Sequence, residues 1–185
     1  MEKRVTTFLF AWISLASVAH GNQSLEKVKE VKRAYQRATA KDYRLFAFGP
    51  TKSKNLGIDK SGQYLSYGHL WETTTYASIQ AQAEGSIFTG SQKGSVIGAT
   101  LGVNIAPPDS DFAPFGSFRL GYGGSWRDGS EHKSVSGWAG AYSLGIILFR
   151  MSHTQLHLGL HHFRLFVDND HGQPNFTSFA LGITF

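Results

Sequence analysis

The sequence has no cysteine, so no disulfide framework supports the fold, and this composition fits an oxidising compartment. Charged residues make up only 17% of the chain. Beyond residue 21 there is no apolar run of the roughly 20 residues that a membrane-spanning helix needs. Glycine and aromatic residues are abundant, with 21 Gly and 14% Phe, Trp and Tyr. Such a chain can cross a membrane only as a closed β-barrel, because open strand edges leave backbone groups unpaired in hydrocarbon.

The formal net charge of +5 and the isoelectric point near 9.5 are those of a basic protein. Many of the basic residues fall in the first 41 positions, and this distribution does not predict a nucleic-acid partner. We find no cofactor or metal motif, so we expect no cofactor and no bound metal. The 185 residues are enough for one barrel domain, which we expect to be a monomer.

The first 21 residues have the pattern of a secretory signal peptide. Lys3 and Arg4 precede a short uncharged run that reaches Ala19, and small residues follow the apolar core of that run. Cleavage after Ala19 or after Gly21 fits this pattern, and the second is preferred. The alternative is an uncleaved membrane anchor, but the run is shorter than a spanning helix.

Residues 22–41 are predicted to contain a basic amphipathic helix that starts near Ser24. Leu25, Val28 and Val31 recur at helical spacing, while lysines and arginines occupy other positions. One interpretation is an interfacial helix on an anionic membrane surface at the periplasmic end of the barrel. The other is an ordinary solvated or barrel-docked helix before the first strand.

Residues 42–185 are predicted to form the barrel, because large apolar residues alternate with small or polar ones in eight segments. The segments are 43–51, 63–71, 76–88, 96–105, 115–126, 135–149, 154–168 and 175–185. An even number of strands is typical of bacterial barrels. In the seventh segment the apolar parity changes between Leu160 and Phe163, which predicts a β-bulge near His161 and His162.

The two faces of these strands differ in chemistry. One carries Trp, Tyr, Phe and Leu, and the other carries Gln, Glu, Arg, His, Ser and Gly. A soluble barrel such as a lipocalin would turn the large apolar face inward, whereas a membrane barrel turns it toward lipid around a small polar lumen. Aromatic residues near the strand ends are candidates for two interfacial girdles. They are Tyr64, Trp71, Tyr76, Trp126, Trp138 and Phe185.

The last segment carries its large apolar residues on one face and ends on an aromatic residue. These residues are Phe179, Leu181, Ile183 and Phe185. With the alternation of residues 42–185, this strand resembles the closing strand of the small eight-stranded bacterial outer-membrane barrels, a superfamily that includes the transmembrane domain of outer-membrane protein A and the opacity-type surface proteins. The resemblance implies that these four residues are the signal read by the barrel-insertion machinery, that outer-membrane lipid surrounds the barrel, and that both termini are periplasmic.

Six polar residues are the candidates for a lumen site, because each is predicted to face inward. Glu84 and Arg119 are predicted to form an ion pair that helps to plug the barrel, since an unpaired buried charge is costly. The alternative is that each contacts Gln80, Gln82 or water separately. His157 and His161 share a face but lie about 13 Å apart in an extended chain, so they are predicted to pack or hydrogen-bond in the lumen rather than to chelate a metal.

Three function classes remain open. The preferred one is a non-enzymatic barrel with a structural or surface-interaction role. The second is a lipid-modifying acyltransferase or lipase-like enzyme, for which Ser130 and His132 with a nearby carboxylate give only an unconstrained Ser–His–acid set. The third is a narrow pore, which an eight-stranded barrel filled by side chains disfavours.

Overall fold

The computed structural model describes residues 42–53, 60–74, 76–89, 93–107, 111–127, 133–150, 152, 154–168 and 172–185. These residues form eight strands. In chain order they are β1 (Asp42–Ser53), β2 (Lys60–Glu72), β3 (Ala77–Phe88), β4 (Gly94–Ile105), β5 (Phe112–Arg127), β6 (Lys133–Leu148), β7 (Gln155–Leu165) and β8 (Asn175–Thr184). The predicted signal peptide and helix lie outside the described residues. Across the described part of the chain, no helix has the length and apolar character to cross a membrane.

The strands form a closed antiparallel barrel, as the sequence predicts. Each strand pairs with the next in the chain, and β1 closes the barrel by pairing with β8. The strands are 10 to 16 residues long, which reaches the roughly 9–11 residues that a strand needs to cross a bilayer. The alternation of residues along each strand determines which side chains face the lumen and which face outward. In β3, for example, Gln80, Gln82 and Glu84 are buried, whereas Ile79 and Ile87 are exposed.

Proline interrupts the seam at which the barrel closes. The β1–β8 ladder runs from Leu45 to Phe48 and resumes at Thr51, which leaves out Gly49 and Pro50. Proline has no N–H to donate to a ladder, so this gap follows from its chemistry. Pro50 nevertheless lies within β1, which extends to Ser53, although the sequence predicted a shorter strand.

The predicted β-bulge in β7 is wrong. The pairing of β7 with β6 and with β8 is continuous through His161 and His162, and no residue is left over in either ladder. The apolar parity changes because Phe163 and Leu165 are fully buried inside the barrel, while Leu160 faces outward. The strand is regular, and the chemistry of the lumen changes along it.

The lumen is polar in its middle and contains apolar clusters toward both ends. We call the end that holds Asp42 and Phe185 the terminal end, and the opposite end the distal end. We call the large apolar residues that are buried at the distal end the distal layer: Phe88, Val96, Phe163, Leu165 and Phe176. The terminal end has two smaller buried clusters, Tyr43, Leu45 and Leu70, and Ala106, Ala113, Phe115 and Ile147.

The predicted small polar lumen therefore also contains apolar clusters, which the sequence did not indicate. The prediction of an aromatic girdle is wrong for Tyr64, which lies inside the barrel and is only 3% exposed. The tyrosine hydroxyl has hydrogen-bond partners among the lumen residues, which makes its burial favourable. The five other predicted girdle residues are exposed on the exterior.

Candidate functional site

The centre of the lumen holds a cluster of charged side chains from three strands. Glu84 comes from β3, Arg119 from β5 and His161 from β7. In an eight-stranded barrel β3 and β7 are four strands apart, so Glu84 and His161 project from opposite walls. The Glu84 Oε2 atom lies 2.5 Å from His161 Nε2 and 3.5 Å from Arg119 Nη2. We call Glu84, Arg119 and His161, with Ser143, the lumen cluster.

Burial makes the pairing within the lumen cluster important for stability. The Glu84 side chain is 0% exposed and the Arg119 side chain 1%. Arginine keeps its charge in proteins, and a buried charge without a counter-charge costs several kcal/mol. Glu84 supplies that counter-charge, and its second oxygen, Oε1, accepts a hydrogen bond of 2.8 Å from the Thr100 hydroxyl.

The partners of His161 define its tautomer. Its Nδ1 atom lies 3.0 Å from Arg119 Nη2 and 2.8 Å from Ser143 Oγ. A guanidinium N–H can only donate, so Nδ1 is the acceptor and Ser143 donates to it. The ring proton is then on Nε2, which faces the carboxylate of Glu84. The imidazole therefore bridges the two walls in one defined orientation.

A second chain of hydrogen bonds extends the lumen cluster toward the terminal end. The side-chain amide of Gln80 donates to Gln82 Oε1 at 2.6 Å, and Gln82 Nε2 donates to the Tyr64 hydroxyl at 2.9 Å. The Tyr64 hydroxyl in turn lies 3.4 Å from Glu84 Oε2. Because each member has a partner, this buried polar chain holds its side chains in fixed positions.

A small cavity of about 50 Å³ adjoins the lumen cluster on its terminal side. Gln80, Asn104, Arg119 and His157 are among the residues that line it. A space of this size holds one or a few water molecules. His157 is buried there with its ring 5.5 Å from that of Phe115, edge to face, so it packs apart from His161 instead of forming a site with it.

The structure brings five of the six predicted lumen residues into one connected network. Glu84, Arg119 and His161 are in direct contact, Gln82 joins them through Tyr64, and Gln80 joins through Gln82. His157 is connected to this network only through the cavity, which it lines together with Arg119 and His161. The residues predicted as the assembly signal lie elsewhere, on the outer face of β8 and at the residue that follows it. They are Phe179, Leu181, Ile183 and Phe185.

Sequence reasoning missed several members of this network, among them Ser143, Thr100 and Tyr64. Inward parity at mid-strand could have indicated Ser143 and Thr100, but it does not identify their partners. Ser130 and His132, the set considered for catalysis, lie outside the described residues. Among the described residues, no group of three or more His, Asp or Glu side chains is arranged to hold a metal ion.

Comparison with known proteins gives similarity in structure only. Neither the protein-family models nor the curated protein sequences contain a match. Neisserial surface protein A is 9% identical, with a TM-score of 0.67 over 77% of this chain and 95% of that one. The N-terminal β-barrel domain of Pseudomonas aeruginosa OprF is 10% identical, with a TM-score of 0.51 over 78% of this chain and 97% of that one.

The attachment invasion locus protein Ail of Yersinia pestis is also similar, with 13% identity and a TM-score of 0.50 over 78% of this chain and 97% of that one. At such low identities the likeness defines the fold alone. The closed antiparallel order of β1 to β8 agrees with it. This chain therefore has the fold of the small eight-stranded outer-membrane β-barrels.

Proposed function

We propose that this protein is a non-enzymatic integral outer-membrane barrel with a closed lumen and a structural or surface-interaction role. The observation that carries this proposal is the filled interior. The lumen cluster ties opposite walls together, and the distal layer above it consists of large side chains such as Phe88, Phe163 and Phe176 that are 0% exposed. An ion entering this lumen would have to displace both layers.

The exterior supports the membrane location. Large apolar side chains are exposed on every strand, and examples are Phe48, Leu101, Phe118, Trp138 and Phe179. Soluble proteins rarely expose contiguous apolar patches of more than a few hundred Å². In a bilayer the same surface faces hydrocarbon, which is the arrangement of a transmembrane barrel.

The proposed orientation has both termini in the periplasm, with the distal end outside the cell. Phe185 follows β8 and exchanges backbone hydrogen bonds of 2.9 and 3.1 Å with Arg44, so the closing aromatic residue lies at the rim of the terminal end. In this orientation outer-membrane lipid surrounds the strands, and Phe185 is available to the insertion machinery at the periplasmic side.

The proposal is tested on the full chain in two steps. Cells that express it are fractionated, and the outer-membrane protein is run on a gel with and without boiling, where a folded barrel migrates differently from its boiled form. The purified folded protein is then added to planar bilayers. We expect a mobility shift and no ion conductance. Steady channel openings by the wild-type barrel would refute the closed lumen, and the absence of a shift in any membrane fraction would refute the barrel location.

One observation favours the enzymatic alternative. Ser143, His161 and Glu84 follow one another within hydrogen-bonding distance, at 2.8 and 2.5 Å, and such a series has the residue types of a hydrolase triad. However, Ser143 is only 8% exposed, and the adjoining cavity of about 50 Å³ is too small for an acyl lipid.

Lipid analysis distinguishes these two functions. Lipid A and phospholipids are compared from cells that carry the wild type, the Ser143→Ala variant or no copy of the gene. We expect identical lipid profiles in all three. A lipid product that appears with the wild type and disappears with Ser143→Ala would favour the enzyme over the structural barrel.

A further inference from the structure

The distal ends of the strands carry positive charge. Six strands have a Lys or Arg at their distal terminus or beside it. We call these residues the basic collar: Lys52, Lys60, Lys93, Arg127, Lys133 and Arg164. Among the described residues at this end, the acidic one is Asp168. The terminal end is different, because the described residues there include Asp42, Glu72 and Asp111 together with Arg44 and Arg150.

Several side chains of the basic collar are presented to the surroundings of the barrel. Lys52, Lys93 and Arg164 are exposed. Arg164 donates through Nε to Gln173 Oε1 at 2.6 Å, which orients the guanidinium with a neutral partner. Basic side chains in this position suit a negatively charged layer at the membrane surface.

An apolar groove of about 1300 Å³ lies on the outer wall beside this collar. The groove extends from β1 to β5. Ala83 pairs with Ala99, and Gly85 and Gly124 lie on either side of Ile97, so small residues lower the surface between large exposed ones. The floor includes Ala83, Gly85, Ala99 and Gly124, and the walls include Phe48, Leu65, Tyr67, Tyr122 and Trp126.

The groove and the basic collar meet at the distal end. Trp126 pairs across the ladder with Ser95, which is two residues from Lys93. On the other wall, Phe48, Pro50 and Lys52 alternate along the outward face of β1, so an apolar surface leads directly to a cation on each side. The occupant that matches this surface has long apolar chains and a negatively charged head.

We propose that the groove and the basic collar bind a phosphate-bearing acyl lipid of the surrounding membrane. This inference rests on the proposed membrane location and orientation. The acyl chains lie in the groove, where they cover the small residues of its floor, and the phosphate lies beside the exposed cations at its two sides, Lys52 and Lys93. The apolar part of the site is the outer surface of the strands, which the bilayer covers whether or not a particular lipid is bound. The selectivity for phosphate comes from the basic collar.

Quenching of tryptophan fluorescence measures this selectivity in the full chain. The protein is refolded into phosphatidylcholine vesicles that contain either brominated phosphatidic acid or brominated phosphatidylcholine, since bromine on an acyl chain quenches a tryptophan beside it. Trp126 is in the groove wall, and the other three tryptophans, Trp12, Trp71 and Trp138, are replaced by Phe because Trp71 and Trp138 are also exposed on the exterior. We expect phosphatidic acid to quench at several-fold lower mole fraction than phosphatidylcholine, and we expect added salt to reduce the difference.

Matched variants show which residues produce the preference for phosphatidic acid. Lys52→Gln and Lys93→Gln should each reduce the preference for phosphatidic acid, by up to about fivefold per cation. Arg44→Gln, which removes an exposed cation at the terminal end, should leave it unchanged. Ala83→Leu fills the groove floor and should weaken quenching by both lipids equally.

The outcomes are distinguishable from those of the proposed function. A barrel that inserts but shows no preference for phosphatidic acid, for example because acidic residues of the links neutralise the collar, overturns the lipid site and leaves the closed barrel standing. Equal losses in Arg44→Gln and in Lys93→Gln also overturn it. A chain that inserts into neither vesicle overturns the membrane location, and the lipid site with it.

Discussion

The replacement of Glu84 by Gln tests the central contact of the barrel most directly. Gln has nearly the same shape and can still accept a hydrogen bond from Thr100 or from His161. The change therefore removes mainly the negative charge that faces Arg119 Nη2 at 3.5 Å. The guanidinium stays in the lumen, where its side chain is 1% exposed and where water does not replace the lost partner.

The expected loss of stability follows from this burial. Removing one partner of a buried ion pair costs about 3–5 kcal/mol, because the remaining charge is uncompensated. An exposed pair is worth only about 0–1 kcal/mol. Asp42→Asn provides the matched control, since Asp42 lies 3.9 Å from His69 with its side chain 67% exposed. Glu84→Gln should therefore be several times more destabilising than Asp42→Asn.

The assay is urea unfolding of the full chain refolded into phosphatidylcholine vesicles, with the folded fraction measured by gel mobility without boiling. A double variant, Glu84→Gln with Arg119→Met, gives an independent test. If the unpaired cation causes the loss, removing the cation should recover a large part of it. A loss no larger than that of Asp42→Asn, or a double variant less stable than Glu84→Gln, would refute the reasoning.

Three further predictions concern other parts of the barrel and use the same urea assay. Phe163→Ala should cost about 3–5 kcal/mol, because it empties a position that is 0% exposed in the distal layer, whereas Phe179→Ala on the exterior should cost clearly less. Gly102→Ala should cost about 1–3 kcal/mol, because an added Cβ would collide with a carbonyl oxygen of the facing strand. Its control is Gly116→Ala, whose nearest contact is a leucine side chain at 3.4 Å; equal losses at the two glycines would contradict this. Tyr64→Phe should cost about 1–3 kcal/mol through the loss of a buried hydroxyl with two partners, and an unchanged urea midpoint would show that the hydroxyl contributes nothing.

Local alternation was sufficient to predict the strands. All eight predicted segments correspond to strands of the barrel, and the differences are at the ends: residues 63–71 were predicted where β2 spans Lys60–Glu72. Strand ends are decided by pairing with neighbours, and a strand continues while a partner remains opposite it. In β1 the pairing with β2 continues the strand past Pro50 to Ser53, although proline has no N–H to donate to a ladder.

Local alternation failed where the lumen changes its chemistry. Phe163 and Leu165 are apolar and face inward, so a rule that places every large apolar residue outside required a bulge to explain them. The strand has no bulge, because the distal part of the interior is filled by apolar side chains from several strands. Tyr64 was misplaced by a different rule, which assigned aromatic residues near strand ends to a girdle. The alternation of β2 turns Tyr64 inward, where its hydroxyl meets Gln82 and Glu84 of β3.

The sequence by itself determined the strand order of a barrel, the apolar exterior and the inward direction of Glu84, Arg119 and His161, because these depend on a two-residue period within each strand. Only the tertiary structure decided which of these inward side chains meet. Glu84 and His161 are 77 positions apart in the chain and come together because barrel closure and register bring β3 and β7 face to face across the lumen. No local period contains that information, since it depends on the number of strands and on the stagger of every pair between them.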